Sequence, residues 1–282
     1  MKIFVTGGTG FIGSHFLRQA LAAGHTVVAQ RRAGSQSRLP LPQQPAWVDR
    51  ELDQDFSDVL AGCDVVVHLA AHTPNPPYAP LDECLYWNVV ASVRLLQQAA
   101  AQGITNMLIA GTCFEYGSAA EGQEFVHPAT EARPALSYPA SKAAATTACL
   151  GLARQLGLRM QVMRIFQVYG EGEAPTRFWP SLCAAARDGR DFSMSAGLQI
   201  RDFVSVQEVA KQFVDALDFS AVQAGRPQVR NVGTGRAQSL LQFAEHWWTA
   251  LNAQGRLVPG QVGLRPGEVA RLVANVTDIH VA

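Results

Sequence analysis

The sequence predicts an α/β fold, in which a doubly wound parallel sheet is followed by a smaller C-terminal α/β lobe. Short apolar runs typical of buried parallel strands alternate, as far as residue 168, with longer segments of helical periodicity. A cluster of glycines follows the first apolar run directly, as expected where a strand turns into a helix. A turn-rich stretch at 170–175 then breaks the pattern. We therefore assign 1–168 to the sheet domain and 169–282 to the lobe, with some lobe segments returning to the sheet.

The composition limits the possible partners and location. Lys plus Arg and Asp plus Glu each number 23 among 282 residues, so the charge predicts neither nucleic acid nor a membrane surface as partner. The five cysteines form no C-x-x-C pair and have no histidine at zinc-site spacing, which indicates reduced thiols and no metal site. No apolar run approaches the ~20 residues of a membrane helix, and the early first strand leaves no room for a signal peptide. We expect a soluble cytoplasmic protein.

The first element is a strand, a glycine turn and a helix in succession. The apolar run at 3–5 predicts the strand, and periodic apolar residues at 11–21 predict the helix. Between them lie the glycines of overlapping G-x-G-x-x-G and G-x-x-G-x-x-G patterns: Gly7, Gly8, Gly10 and Gly13. Such glycines permit a tight turn and a close approach of the backbone to a pyrophosphate, which the helix N-terminus attracts. A turn without a ligand is the alternative, but the order of strand, glycines and helix favours a dinucleotide site.

The second strand, predicted at 26–29, leads to a pair of arginines. In a dinucleotide-binding fold an acidic residue here hydrogen-bonds the adenosine ribose of NAD, whereas arginine accommodates the 2′-phosphate of NADP. Arg31 and Arg32 stand at this place, and no Asp or Glu precedes Asp49. We predict NADP(H) as the favoured cofactor, with NAD(H) possible. The alternative is that both arginines only begin a solvated surface loop at 34–45.

Further strands and helices alternate as a doubly wound sheet requires. Strands are predicted at 46–48, 64–69 and 107–110, and helices at 54–61, 81–102, 137–157, 208–219 and 240–251. The strand at 64–69 ends near His68 and His72, at the edge where ligands bind in such sheets. A histidine at a strand end is more often a hydrogen-bonded structural group, so we assign His68 a structural role. His72 is a candidate for the wall of the substrate site.

Three residues combine into a catalytic hypothesis. Tyr138 and Lys142 are four residues apart at the start of a predicted helix, so they share one face. Thr112 lies just beyond the fifth strand, where its hydroxyl can face the cleft. A phenol of pKa ~10 is a poor base at neutral pH, but a nearby ammonium and an oxidised nicotinamide both favour the phenolate. Tyr138 could then exchange a proton with a substrate oxygen. A surface tyrosine beside a lysine is the alternative.

Together these motifs resemble the extended short-chain dehydrogenases/reductases that act on nucleotide sugars. The resemblance covers nearly the whole chain, through 6–13, 68–71, Thr112, Tyr138, Lys142, 164–170, 201–204, 231–233 and 265–268. It implies a Rossmann fold with a substrate-binding lobe and a homodimer formed through the helices at 81–102 and 137–157. It also implies that Tyr138 is the acid/base, that Lys142 lowers its pKa and holds the nicotinamide ribose, and that Thr112 hydrogen-bonds the reacting sugar oxygen.

The same resemblance implies the binding residues. Those for the cofactor are Gly7, Gly10, Phe11, Ile12, Gly13, Arg31, Arg32, Leu69, Ala70, Ala71, Tyr138 and Lys142. Those for the substrate are His72, Thr112, Gln167, Arg201 and Arg265. Arg201 and Arg265 match contacts to the sugar-nucleotide diphosphate, and arginine suits bidentate phosphate recognition. Surface ion pairing is the alternative for both arginines, and Gln167 departs from the asparagine of many relatives.

A second departure bears on the reaction. Dehydratases of this family carry Asp-Glu directly after the Ser/Thr, where this chain has Cys113 and Phe114. Elimination of water needs a general acid and base beyond the tyrosine, so dehydration is disfavoured. An NADPH-dependent 4-ketoreductase of a 4-keto-6-deoxy nucleotide sugar agrees best with the predicted cofactor. The alternatives are an NAD-dependent 4-epimerase and, from another class, a non-catalytic NADP(H)-sensing protein, which would have no need of both Tyr138 and Lys142.

Overall fold

The computed structural model describes residues 1–263 and 268–276. Within these ranges the main sheet has seven strands, all parallel, in the order β11-β6-β5-β4-β1-β2-β3. They are β1 (Lys2–Thr6), β2 (Thr26–Arg31), β3 (Ala46–Asp49), β4 (Val65–His68), β5 (Asn106–Thr112), β6 (Arg159–Ile165) and β11 (Gln228–Val232). Because the chain winds outward from β1 in both directions, the predicted doubly wound fold is confirmed.

The helices cover both faces of this sheet and continue into the C-terminal part. They are α1 (Phe11–Ala22), α2 (Ser57–Leu60), α3 (Leu81–Leu85), α4 (Ser92–Ala101), α5 (Ser137–Leu156), α6 (Phe178–Arg187), α7 (Val206–Asp215) and α8 (Leu240–Ala250). A π-helical turn, Tyr86–Ala91, joins α3 to α4 without a break. None of the helices in the described ranges has both the length and the apolar character needed to cross a bilayer.

Two helix predictions were wrong in their limits. The helix expected at 54–61 is a single turn, because the Asp55 carboxylate accepts hydrogen bonds from the backbone and hydroxyl of Ser57, so the helix begins only there. The helix expected at 208–219 begins earlier and ends earlier, as α7. The Ser205 hydroxyl accepts a hydrogen bond from the Glu208 backbone N–H and so caps α7, which begins at Val206, two residues before the predicted start.

The core lies in two apolar layers, one on each face of the sheet. Successive side chains of β1 point to opposite faces, so Ile3 and Val5 join the layer beneath α1 and α7, whereas Phe4 joins the layer beneath α4 and α5. Each of the three is fully buried. This two-sided burial explains why the strand appears in the sequence as a continuous apolar run.

The C-terminal part adds small sheets and an aromatic cluster. The additional strands are β7 (Gln167–Tyr169), β8 (Phe192–Ser193), β9 (Ile200–Arg201), β10 (Phe203–Ser205), β12 (Gln238–Ser239), β13 (Leu257–Val258) and β14 (Arg271–Leu272). Phe203 stacks on Phe243 of α8 with ring centroids 3.9 Å apart, and Trp247 and Trp248 contact the same apolar cluster. β11 returns to pair with β6, while the division at residue 168 stays a prediction.

Candidate active site

The glycine turn lies against the end of β4 at the centre of the sheet. Gly7 has a φ of +72°, and a Cβ there would lie 2.5 Å from the backbone nitrogen of Ala70. A Cβ at Gly13 would overlap the carbonyl oxygen of Gly7, and the N–H of Gly10 donates to that same oxygen at 3.0 Å. The predicted cofactor segments 7–13 and 69–71 are therefore neighbours.

This arrangement fits a dinucleotide diphosphate. Helix α1 begins at Phe11 and has no side-chain cap, so backbone N–H groups of its first turn, including those of Phe11 and Ile12, are available to an anion. Side chains at Gly7 and Gly13 would overlap the neighbouring backbone, so this tight turn requires glycine at both positions. The two strands meeting here, β1 and β4, continue to opposite halves of the sheet, which is where such sheets bind ligands.

His68 is held inside the sheet. Its Nδ1 lies 2.7 Å from the hydroxyl of Thr6 and its Nε2 lies 2.9 Å from the hydroxyl of Ser92. Burial, together with the positive charge of Lys142, lowers the pKa of His68 to about 3. These contacts support the predicted structural role, because a neutral imidazole with both nitrogens engaged has no proton to exchange at neutral pH.

His72 lies beyond β4 and contacts α3 and the π-helical turn. Its backbone N–H donates to Oδ1 of Asn88 at 2.7 Å, and its Nε2 is 2.7 Å from a carboxylate oxygen of Glu83. The Asn88 amide in turn donates to the hydroxyl of Ser141, the residue before Lys142. His72 is thus tied to helix α5 through Asn88, while its contact with substrate stays a prediction.

The arginines at the end of β2 differ in their surroundings. The Nε of Arg31 donates to Oδ1 of Asp49 at 2.6 Å, and its guanidinium lies 5.0 Å from the ring centroid of Trp47. Asp49 occupies the parallel register position on β3 and offsets part of this charge. Arg32 is exposed beside it. No acidic residue ends β2 itself, but Asp49 of the neighbouring strand β3 forms an ion pair with Arg31.

The sequence at 34–45 predicted a solvated surface loop. In the structure this loop, which follows β2, is anchored to the rest of the protein. Leu39 and Leu41 are buried, and Nη1 of Arg38 donates to the carbonyl of Gly172 at 2.8 Å. A cavity of ≈ 320 Å³ under this loop is lined by Arg31, Arg38 and Ser37, among others. The hydroxyl of Ser37 is buried and has no hydrogen-bond partner within the described ranges. Two guanidinium groups and this hydroxyl suit an anionic ligand.

Tyr138 and Lys142 lie on the buried face of α5, only 7% and 4% exposed. The Lys142 ammonium donates to the carbonyl oxygen of Ala110 at 2.7 Å, which ties α5 to the end of β5. Burial lowers the pKa of Lys142, and the negative charge of Glu115 opposes this effect. Lys142 therefore lies next to the strand that carries Thr112, with Tyr138 one helical turn away.

The pKa of Tyr138 differs from our expectation of a lowered value. Burial raises the pKa of the Tyr138 phenol, the charge of Glu115 raises it further, and Arg177 lowers it. The ammonium of Lys142 binds the Ala110 carbonyl instead, so the protein alone does not favour the phenolate. In this state Tyr138 carries its proton and is suited to donate it.

Thr112 ends β5 with its hydroxyl in a fixed orientation. Its Oγ1 accepts a hydrogen bond from the backbone N–H of Phe114 at 3.3 Å, which leaves the hydroxyl proton to donate elsewhere. The next residues, Cys113 and Phe114, form a 3₁₀ turn with Glu115. Burial raises the pKa of the Cys113 thiol to about 12, so it cannot act as a base near neutral pH. No described residue in this turn offers the acid and base that dehydration requires, because both oxygens of Glu115 accept internal hydrogen bonds.

Comparison with known proteins identifies the family. The model of the NAD dependent epimerase/dehydratase family matches residues 3–233.

This chain belongs to that family.

The similarity to two relatives and one solved structure extends over most of their length. The UDP-glucose 4-epimerase of Corynebacterium glutamicum is 28% identical, with 98% of this chain and 87% of the relative covered. The GDP-6-deoxy-D-mannose reductase of Pseudomonas aeruginosa is also 28% identical, with 99% and 90% covered. The solved structure of MoeE5 in complex with UDP-glucuronic acid and NAD has a TM-score of 0.83 and 28% identity, covering 98% of this chain and 90% of that one.

Membership of the epimerase/dehydratase family confirms the predicted class. The protein is an enzyme of the NAD-dependent epimerase/dehydratase family, and the relatives named above are a UDP-glucose 4-epimerase and a GDP-6-deoxy-D-mannose reductase. The alternative of a non-catalytic sensor is therefore set aside. Within the described ranges, no group of three or more His, Cys, Asp or Glu side chains is arranged to hold a metal ion.

Two of the remaining residues expected to bind substrate, Gln167 and Arg201, lie within the described part of the chain. Gln167 begins β7 half-buried, and its N–H donates to the Asp202 carbonyl at 3.1 Å. Arg201 is 6% exposed, and its Nη2 donates to Glu268 at 2.9 Å, so a phosphate would have to share or replace this carboxylate. Arg265 lies outside the described residues. The roles of all three toward substrate stay predictions.

The structure adds residues that motif reading missed. Tyr78, in the proline-rich loop after β4, lies with its ring centroid 5.4 Å from that of Tyr138. Arg177 is the residue directly before α6, and its positive charge lowers the pKa of the Tyr138 phenol. Neither has a sequence signal. Glu115 does have one, because Thr112-x-x-Glu115 is a capping-box pattern at the end of a strand.

Proposed function

We propose that this family member is an NADPH-dependent 4-ketoreductase of a 4-keto-6-deoxy nucleotide sugar. The observation that carries the proposal is the composition of the buried cluster at the end of β5. It contains a phenol, an ammonium and a hydroxyl, those of Tyr138, Lys142 and Thr112, but no carboxylate free to act on substrate. Reduction of a ketone requires one positioned proton donor, whereas dehydration requires a further acid and base.

In the proposed reaction the protein's groups act on one oxygen. Thr112 donates its hydroxyl proton in a hydrogen bond to the 4-keto oxygen, since its own acceptor position is taken by the Phe114 N–H. Tyr138 transfers its phenolic proton to that oxygen as negative charge develops there. Lys142, held by the Ala110 carbonyl, stabilises the phenolate that remains. A bound nicotinamide cofactor supplies the hydride to the carbonyl carbon.

Tyr138 carries its proton at neutral pH, as a tyrosine of ordinary pKa also does, so it can supply the proton that reduction of a ketone consumes. This protonation state is compatible with a reductase. The relative named GDP-6-deoxy-D-mannose reductase further supports a reductase acting on a deoxysugar nucleotide.

The preference for NADPH is supported by the cavity under the loop after β2. Arg31 and Arg38 bring two positive charges to it, and Ser37 brings an unpaired buried hydroxyl. These groups, with exposed Arg32, would hold the 2′-phosphate. Asp49 limits the contribution of Arg31, which makes Arg38 and Arg32 the stronger candidates.

A 4-epimerase is the second candidate, and a specific observation favours it. The similarity to the UDP-glucose 4-epimerase is as high as that to the reductase, and the MoeE5 structure contains NAD.

As part of the same proposal, Arg201 and Arg265 bind the substrate diphosphate. The enzyme forms a homodimer through α3, the π-helical turn, α4 and α5. Leu81 of α3 and Tyr86 and Val90 of the π-helical turn are exposed apolar side chains.

The test is an assay with 4-keto-6-deoxy nucleotide sugars and NADPH. A reductase oxidises one NADPH for each sugar alcohol formed, followed by loss of NADPH absorbance and by product chromatography. An epimerase interconverts nucleotide hexoses with no net oxidation of cofactor. Epimerisation without any reduction would contradict the proposal in favour of the second candidate, and absence of both activities would contradict both.

A further inference from the structure

Glu115 is a buried carboxylate that takes no part in the proposed proton transfer. It is 0% exposed. Its Oε1 accepts a hydrogen bond from the backbone N–H of Thr112 at 2.8 Å. Its Oε2 accepts hydrogen bonds from the hydroxyl of Thr146 and from Nε of Arg164, both at 2.8 Å. Three donors therefore converge on one carboxylate, and an ionised carboxylate can only accept hydrogen bonds.

The three donors belong to three different elements. Thr112 ends β5, Arg164 lies on β6 and Thr146 lies on α5. Gly111, which pairs with Arg164 in the sheet register, leaves room for the carboxylate, since a Cβ there would lie 2.9 Å from Oε1 of Glu115. The side chain of Glu115 thus folds back over the strand ends and reaches the catalytic helix.

Thr146 extends the catalytic face of α5. It follows Lys142 by four residues and Tyr138 by eight, so all three lie on one side of the helix. Lys142 ties this face to the Ala110 carbonyl, and Thr146 ties it to Glu115 one turn later. Helix and strand are joined at two points near the reacting groups.

We propose that Glu115 is a positioning residue that sets the hydroxyl of Thr112 against the phenol of Tyr138. It does so by binding the Thr112 backbone and helix α5 through the same carboxylate. This role rests on the proposed function, because it concerns the two groups that would act on the sugar oxygen. A displacement of about 1 Å between such groups can lower a rate by roughly 100-fold.

A purely structural ion pair is the competing explanation. Glu115 compensates the buried charge of Arg164, whose guanidinium also lies 4.4 Å from the ring centroid of Tyr116 and whose Nη1 donates to the Pro128 carbonyl. Charge compensation alone does not require the hydrogen bond from Thr146. That bond is therefore the contact whose removal separates positioning from stability.

The experiment compares substitutions at neighbouring threonines of α5. Thr146→Val keeps the volume and the Glu115–Arg164 pair but removes the bond to Glu115, whereas Thr146→Ser restores a hydroxyl. Thr147→Val is the matched control, since exposed Thr147 bonds only within the helix, to the Ala143 carbonyl. We expect Thr146→Val to lower kcat about tenfold, with KM and cofactor Kd within roughly twofold of wild type. Thr146→Ser and Thr147→Val should retain wild-type kcat.

A second variant and a structural readout complete the test. Glu115→Gln places an amide donor among three donors and should lower kcat by roughly 100-fold while cofactor binding persists. If that variant does not fold, the Thr146 series still decides. Crystal structures of wild type and Thr146→Val should differ in the distance between the Thr112 hydroxyl and the Tyr138 phenol by about 0.5 Å or more.

The positioning role is overturned if Thr146→Val turns over at the wild-type rate with an unchanged distance between the two hydroxyls. It is also overturned if kcat, KM and Kd all deteriorate together, since that pattern indicates a loosened fold. Failure of the proposed function looks different, because the wild-type enzyme would then not reduce 4-keto sugars. In that case the same variants would be compared in the epimerase assay. The distance between the Thr112 hydroxyl and the Tyr138 phenol can be measured whichever reaction the enzyme catalyses.

Discussion

The two ends of the cofactor cleft are built in opposite ways. At the reacting end, Thr112, Tyr138 and Lys142 are at most 7% exposed, and Thr112 and Lys142 have fixed backbone partners. At the adenosine end, Arg32 and Arg38 are exposed beside an open cavity. In the proposed function, the chemistry therefore depends on groups set by the core, whereas the proposed choice of cofactor depends on side chains that can change at little cost in stability.

The largest effect is expected at the reacting end. Tyr138→Phe removes the phenolic proton but keeps the ring and its contact with Tyr78. We expect kcat to fall by ~10²–10⁴, the contribution of a positioned acid, while cofactor still binds. Steady-state rates and a fluorescence titration with NADPH measure the two quantities. A variant with nearly normal turnover would exclude Tyr138 as the proton donor.

Thr112→Val should have the next largest effect. It removes the hydroxyl that donates to the sugar oxygen and leaves the Phe114 N–H without its acceptor. We expect kcat to fall by roughly 100-fold, as for loss of one donor to a developing oxyanion. Thr112→Ser is the control and should retain most of the activity, since the hydroxyl remains. Nearly normal turnover of Thr112→Val together with a large loss in Thr112→Ser would indicate that packing of the methyl group, not the hydroxyl, is what matters.

At the adenosine end the effect should be smaller and confined to cofactor choice. Replacing Arg32 and Arg38 by Ala removes charge-assisted hydrogen bonds to a 2′-phosphate, so KM for NADPH should rise about tenfold or more. KM for NADH and kcat with either cofactor should change little. Arg190→Ala, at an exposed arginine paired with Asp188, is the control. Equal effects on NADPH and NADH would remove the assignment of these arginines to the phosphate.

A different kind of effect, on stability rather than rate, is expected from pH at the buried end. Burial holds the pKa of His68 at about 3, against 6.5 for an unperturbed histidine. Between these values the unfolded chain binds a proton that the folded protein does not, so acidification favours unfolding. The free energy of unfolding should fall by up to ~1.4 kcal/mol per pH unit across this window. Urea unfolding at several pH values should show a shallower dependence for His68→Gln, and parallel slopes would refute this linkage.

The sequence was most informative where the decisive residues are neighbours along the chain. The strand, glycines and helix at the N-terminus, and the pair Tyr138 and Lys142, have fixed spacings that follow from helix and turn geometry. The partners of Glu115 could not be found in this way, because Thr146 and Arg164 are 31 and 49 residues distant. The pKa of Tyr138 was also beyond reach, since it depends on burial beneath other elements. The fold was thus predictable, and the electrostatics of its site were not.

The π-helical turn between α3 and α4 has a consequence for insertions and deletions in this enzyme. Each of its hydrogen bonds spans one residue more than in an α-helix, so Tyr86–Ala91 carries a surplus residue. Deleting one residue there would let a regular helix form, but would rotate the preceding turn by about 100°. Asn88, which holds both the backbone of His72 and the hydroxyl of Ser141, would lose one partner or the other. This segment should therefore tolerate substitution far better than any change in length.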